Sequence, residues 1–236
     1  VEYCYYIMSK GRYSSDGLID PILNNSQIHC NVPWDYTPPC TPVNPTAFAD
    51  CEALNNTLSW EPTSAVCPQD DDVEKYNVFF APTLGKELEQ IAEITADQPL
   101  EIFRERDATS VAGCYSVSAT DSSGNESPRS TAICLDNCPE YRLPNIFTPG
   151  TDNFNDLLKP FPYKFVKRID LHIYNRWGTE VFTTTDPDIL WDGRDKTSGK
   201  QLSTGVYYYV CEVVENRLEG DAIKRLQGTI TIASTD

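Results

Sequence analysis

Histidine is almost missing from this sequence: His29 and His172 are the only two in 236 residues. Neither belongs to a Ser, Cys or Asp constellation that would make it a general base. No Gly-x-Ser-x-Gly elbow, phosphate-cradling loop or dinucleotide fingerprint occurs. Carboxylates are so abundant that a glycosidase-like pair could be picked anywhere, which empties such a pick of meaning. The expectation is a protein that is not an enzyme. No run of about 18 apolar residues exists, which excludes a membrane-spanning helix and direct insertion into a bilayer. Positive charge is the scarcer sign, with 19 Lys plus Arg against 35 Asp plus Glu and a formal charge of −16; that surplus repels phosphate backbones and excludes nucleic acid as a main partner. Cys-x-x-Cys pairs and Cys/His clusters are absent too, which argues against zinc.

What is present is cysteine, proline and strand pattern. Nine cysteines and 17 prolines fit persistent disulfides in an oxidising, extracellular setting. Period-2 alternation runs through Lys75–Phe80, Tyr115–Ala119, Ile169–Tyr174 and Gly228–Ile232, separated by Pro, Gly, Asn and Asp clusters that supply turns. Glu87–Ile94 reads equally as a short helix or an edge strand. The fold class expected is all-β: tandem antiparallel β-sandwiches stabilised by disulfides. The Val1–Ile7 segment has no charged start and reads as mid-strand, so the numbering is expected to begin inside a longer protein. Charge divides the chain: residues 1–138 hold 7 basic and 21 acidic side chains, residues 139–236 hold 12 and 14. Halves this different predict separate modules with different partners.

A repeat lies in the acidic part. Tyr3-Cys4-Tyr5-Tyr6-Ile7-Met8-Ser9 followed by Cys30 echoes Gly113-Cys114-Tyr115-Ser116-Val117-Ser118-Ala119 followed by Cys134, each with a Pro- and Cys-containing stretch behind it. The second copy resembles a fibronectin type III-like domain through Asn56-Thr57-Leu58-Ser59-Trp60, Val73–Phe80 and Cys114–Asp121 closed by Gly124-Asn125-Glu126-Ser127. The resemblance implies an immunoglobulin-like sandwich, with Trp60 and Tyr115 as core residues, and no chemistry. Residues 1–39 are then expected to be the last strands of an upstream repeat, residues 40–138 a whole copy, and residues 139–236 a third module.

The third module contains Leu143-Pro144-Asn145-Ile146-Phe147-Thr148-Pro149, Asn175-Arg176-Trp177-Gly178, Trp191-Asp192-Gly193, Gly205-Val206-Tyr207-Tyr208-Tyr209 and Gly228–Ile232, in that order. This set resembles the gliding-motility-associated C-terminal domain, the type B sorting domain of the type IX secretion system of Bacteroidota. The resemblance implies a sandwich that directs secretion and surface anchoring, with a PorP/SprF-type outer-membrane β-barrel and the type IX translocon as partners. It also implies a cell-surface, outer-membrane-associated location and a gliding or adhesion protein, with any extracellular polysaccharide contacted through upstream domains. The candidate contact residues are Asn145, Phe147, Thr148, Pro149, Asn175, Arg176, Trp177, Gly178, Trp191, Tyr207 and Tyr209. Tyr208 falls on one strand face and Tyr207 and Tyr209 on the other, and the latter two offer rigid contact area where that face points outward. The alternative is a carbohydrate-binding module with Trp177, Trp191 and the tyrosines as a sugar platform.

After Pro149 the family's glycine-rich loop is replaced by Gly150-Thr151-Asp152-Asn153-Phe154-Asn155-Asp156. Asp152, Asn153, Asn155 and Asp156 are expected to cap turns, with a calcium site as the lesser reading; no other metal or cofactor is expected. The expected bridges are Cys4–Cys30, Cys114–Cys134, Cys51–Cys67 and Cys138–Cys211, leaving Cys40 over. Each contributes roughly 3 kcal/mol in the chain-entropy model.

Overall fold

The computed structural model describes residues 2–12, 14–17, 19–68, 70–151 and 154–234. Short strands carry it, as the Pro- and Gly-punctuated alternation predicts. The first four are β1 (Tyr3–Tyr5), β2 (Met8–Gly11), β3 (Ile22–Asn25) and β4 (His29–Asn31), pairing β1 with β4 and β2 with β3. Tyr3, Tyr5 and Met8 on these strands, and Tyr6 and Ile7 between β1 and β2, are exposed.

The next unit comprises β5 (Val43–Asp50), β6 (Asn55–Glu61), β7 (Val73–Ala81), β8 (Glu89–Thr95), β9 (Glu101–Glu105), β10 (Gly113–Asp121) and β11 (Ile133–Leu135). Two antiparallel sheets result, ordered β5-β6-β9 and β11-β10-β7-β8. This three-plus-four arrangement is the fibronectin III-like sandwich, and the Glu87–Ile94 ambiguity resolves as edge strand β8. Leu58 and Trp60 from one sheet meet Tyr76, Val78, Phe80, Tyr115, Val117 and Ala119 from the other in a single core. Pro128 interrupts the strand beside β10, and side chains replace the ladder there. Ser127 Oγ accepts the Ala119 N–H at 2.9 Å and Ser130 Oγ the Val117 N–H at 3.0 Å.

The third unit has β12 (Glu140–Tyr141), β13 (Ile146–Phe147), β14 (Tyr163–Lys164), β15 (Val166–Tyr174), β16 (Glu180–Thr184), β17 (Gly205–Arg217) and β18 (Gly220–Ile232). Five form one sheet, β13-β18-β17-β15-β16, in which β13 runs parallel to β18 and the other pairs are antiparallel. The inner face carries Ile169, Leu171, Ile173, Tyr207, Cys211, Val213 and Ile230; β12, Leu158, Ile189 and Trp191 cover it from the connecting segments.

The cysteines pair as Cys4–Cys30, Cys114–Cys134, Cys40–Cys67 and Cys51–Cys138, leaving Cys211 free and buried. The first two join residues directly opposite across a strand pair, so the repeated motif recurs as the same covalent device. The expected Cys51–Cys67 and Cys138–Cys211 bridges are corrected, and so is the leftover status of Cys40. Strands β5 and β6 are antiparallel, with Val43 opposite Glu61 and Asp50 opposite Asn55. Cys51 and Cys67 therefore sit at opposite ends of a hairpin about 20 Å long, beyond the reach of a disulfide. Cys40 shares the far end with Cys67, where its N–H bonds Asp70 Oδ2 at 2.7 Å. Cys211 points into the core in mid-strand. Asn137, the neighbour of Cys138, meets Asn216, about 17 Å further along β17 at strand rise.

Candidate partner-binding surface

The Asn175–Gly178 turn joins β15 to β16. Asn175 Oδ1 accepts the N–H groups of Trp177 and Thr179, each at 3.0 Å, and Gly178 takes φ +83, a left-handed conformation that suits glycine. This lifts Trp177 clear of the module, 75% exposed, with the Arg176 guanidinium 4.6 Å from its ring centroid. Beside it lie Ser203, Thr204, Val206 and Tyr208, enclosing a groove of about 400 Å³.

Register extends this groove into a face. Ile146, Thr231 and Val206 form one cross-strand row, and Thr229, Tyr208 and Tyr174 the next. Ile146, Val206, Tyr208 and Val210 are exposed on it. Farther along, the same face becomes charged. His172 lies between Glu180, 2.5 Å from Nδ1, and Asp170, 3.2 Å from Nε2. Arg225 bonds Glu212 at 2.8 Å. Lys196, and after it His172, hold the Glu180 carboxyl below the usual range by hydrogen bonding. An apolar, aromatic end and a charged end thus share one outer sheet face.

Several expected contact residues lie elsewhere. Tyr207 and Tyr209 point inward, a correction: the Tyr207 hydroxyl donates to the Ser203 carbonyl at 2.8 Å, and Tyr209 packs over Gly228, where a Cβ would meet its ring at 2.9 Å. Tyr208, 52% exposed, takes the outward place. Because the strand period is two, a one-residue shift swaps every face. Phe147 and Trp191 are also core residues; Trp191 is 1% exposed, stacks with Phe182, and donates its indole N–H to the Arg194 carbonyl at 2.9 Å. A sugar platform containing Trp191 and Tyr207 is therefore excluded by burial. Asn145 contributes its backbone carbonyl to the Thr231 N–H. Thr148 closes the following loop, its N–H bonding the Asn155 carbonyl at 3.1 Å. Pro149 packs near Gly193, where a Cβ would stand 2.8 Å from its ring. Asn155 has φ +54, a turn conformation; Asp152 and Asn153 lie outside the described residues.

Asp72, which in the sequence reads with Asp70 and Asp71 as a solvated loop, joins an acidic cluster with distant partners. The carboxylates of Asp35, Asp72 and Asp121 lie within 4.8 Å of one another, and burial, then the Asp121 charge, pushes the Asp72 carboxyl up. The Asp121 carboxylate is already engaged by the N–H groups of Ser123 and Asn125 and by the Asn125 amide.

Fold and surface together define a class: an all-β, disulfide-bridged chain in which a fibronectin III-like sandwich precedes a module with an open, mixed-polarity sheet face. Residues 141–232 match the family model of the CHU_C type IX secretion signal domain, and such a domain implies export by, and contact with, that machinery. Among solved structures, a Fn3-like protein from Clostridium thermocellum aligns with 23% identity over 40% of this chain and 88% of its own, TM-score 0.32. The chicken CNTN1 FN1-FN3 domains align with 14% identity over 99% of this chain and 78% of theirs, TM-score 0.36. No curated protein matches the chain.

Proposed function

We propose that this chain is a non-catalytic part of a large cell-surface protein of the gliding or adhesion kind. Its terminal module serves as the address for type IX export and for retention at the outer membrane. Residues 40–138 act as a spacer. The partner we infer is a PorP/SprF-type outer-membrane β-barrel, met by the outer sheet face around Trp177, Val206 and Tyr208. The match at residues 141–232 carries the secretion role. The exposed aromatic end of a folded sheet, held by Asn175, supports recognition of a folded surface rather than of a linear peptide. No cofactor is required for this role.

The test is a secreted reporter fused ahead of residues 1–236 in a type IX-competent host. Removing residues 139–236 is expected to abolish surface display. Tyr208→Asp with Trp177→Ala is expected to lower display at least about tenfold, equivalent to about 1.4 kcal/mol of docking energy, while the fusion stays folded and protease-resistant. Display that survives the deletion sinks the address; display that survives only the double substitution relocates the docking face.

A further inference from the structure

Tension along a chain follows the shortest covalent path, and the bridges redraw that path. From Cys4 it crosses to Cys30, runs along the backbone through Cys40 to Cys51, crosses to Cys138, and enters the terminal module. Residues 5–29 and 52–137 hang outside it, including every strand of the sandwich except β5. We propose that residues 4–138 are a disulfide-clamped, load-bearing tether, one whose lengthening stays within about 40 Å even where its sandwich unfolds.

The lengths decide how much this matters. A fully extended chain spans at most about 3.4 Å per residue. The Cys51–Cys138 bridge, of sequence separation 87, withholds about 300 Å, and the Cys4–Cys30 bridge, of separation 26, about 90 Å. If β5 peels away, only the stretch from Cys40 to Cys51 pays out, about 40 Å. Position distinguishes this role from ordinary stabilisation. Loop-closure entropy is gained wherever a bridge closes a loop of given length, and a bridge inside the sandwich, such as Cys114–Cys134, serves that purpose. Cys51–Cys138 instead joins the residue that follows β5 to the segment between β11 and β12, directly before the terminal module. The functional meaning rests on the surface retention proposed above, whereas the clamp is a property of the purified chain and is measured without it.

The experiment stretches the full chain by its two ends in a force spectrometer, after intact mass has established the four bridges. The oxidised chain is expected to give one long step, that of the terminal module, which no bridge spans. A phosphine reductant added at constant force is expected to add lengthening of about 300 Å and about 90 Å. The Cys51→Ser, Cys138→Ser double variant, in which bridges of separations 27 and 20 still shorten the released loop, is expected to gain about 140 Å without reductant. A second long step in the oxidised wild-type chain overturns the clamp. So does a reductant that adds no length, which reads the bridges in the native sequence and does not depend on the variant folding.

Discussion

Cys211 owes its chemistry to its place in the sheet. It sits on the inner face of β17, 2% exposed, and burial, then the Asp170 charge, pushes its thiol up to about 12. At pH 7 the thiolate fraction is then on the order of one part in 10⁵, which removes the reactive species. The native chain is expected to show no thiol to an aromatic disulfide reagent at neutral pH, and one per chain once unfolded in urea. Two or more thiols in urea contradict the disulfide map; one in the native chain contradicts the burial. Nine cysteines require an odd one, yet nothing local tells Cys211 from Cys40. The distinction is which residue faces a core. The three consecutive tyrosines pose the same problem. Their alternation is legible, but which face turns inward depends on Gly228 lying beneath Tyr209 and on the Ser203 carbonyl meeting Tyr207.

Hairpin β17–β18 is the element whose consequence reaches farthest beyond its own module. Each strand has 13 residues, and the tip touches the preceding sandwich. Leu218 packs against Ala112, Cys114 and Leu88, its N–H bonds Asp136 at 2.7 Å, and Arg217 reaches the Asn137 carbonyl at 3.3 Å. Asn137, buried, holds both sides: its Oδ1 accepts the Val111 and Ala112 N–H groups at 2.7 and 3.0 Å, and its Nδ2 donates to the Asn216 carbonyl at 3.0 Å. Asn137→Ala leaves the buried Val111 N–H unpaired and the Ala112 N–H with Ser110 Oγ alone, at 3.1 Å, which costs about 1–3 kcal/mol. A fall of that size in unfolding free energy is expected from urea titration, with faster hydrogen exchange at Val111 and Ala112. A loss under about 0.5 kcal/mol would falsify the keystone role. The strands themselves were legible, because alternation and turn residues are local. The joint was not: Asn137 meets partners 26 and 79 positions away, and an asparagine between Asp136 and Cys138 carries no local sign of them.

At the scale of the whole molecule, charge and hydrogen bonding pull stability in opposite directions with pH. The uneven charge was readable from composition alone: residues 1–138 carry 21 acidic and 7 basic side chains. Turn hydrogen bonds hold several carboxyls below their usual range: those of Ala53 and Glu52 for Asp50, of Thr109 for Asp107, and of Ser198 for Asp195. Lys75 does the same for Glu93. A carboxyl whose folded value is depressed contributes stability above its unfolded value of about 4, and loses it as pH falls through the folded value. The raised Asp72 acts in reverse, its burial and its neighbour Asp121 being relieved on protonation. Self-repulsion from the −16 net charge also declines as pH falls from 7 toward the carboxylate range. The thermal midpoint at low salt is therefore expected to rise by a few degrees from pH 7 to about 5, then drop below about pH 4. Salt separates the causes. At 0.5 M the Debye length is only about 4 Å, so the rise from pH 7 to 5 should vanish while the acid loss persists, because the turn hydrogen bonds are short-range. A midpoint that falls steadily from pH 7 downward at low salt would mean that acidic repulsion in residues 1–138 is too well dispersed to matter, and that the turn carboxylates alone set the pH response.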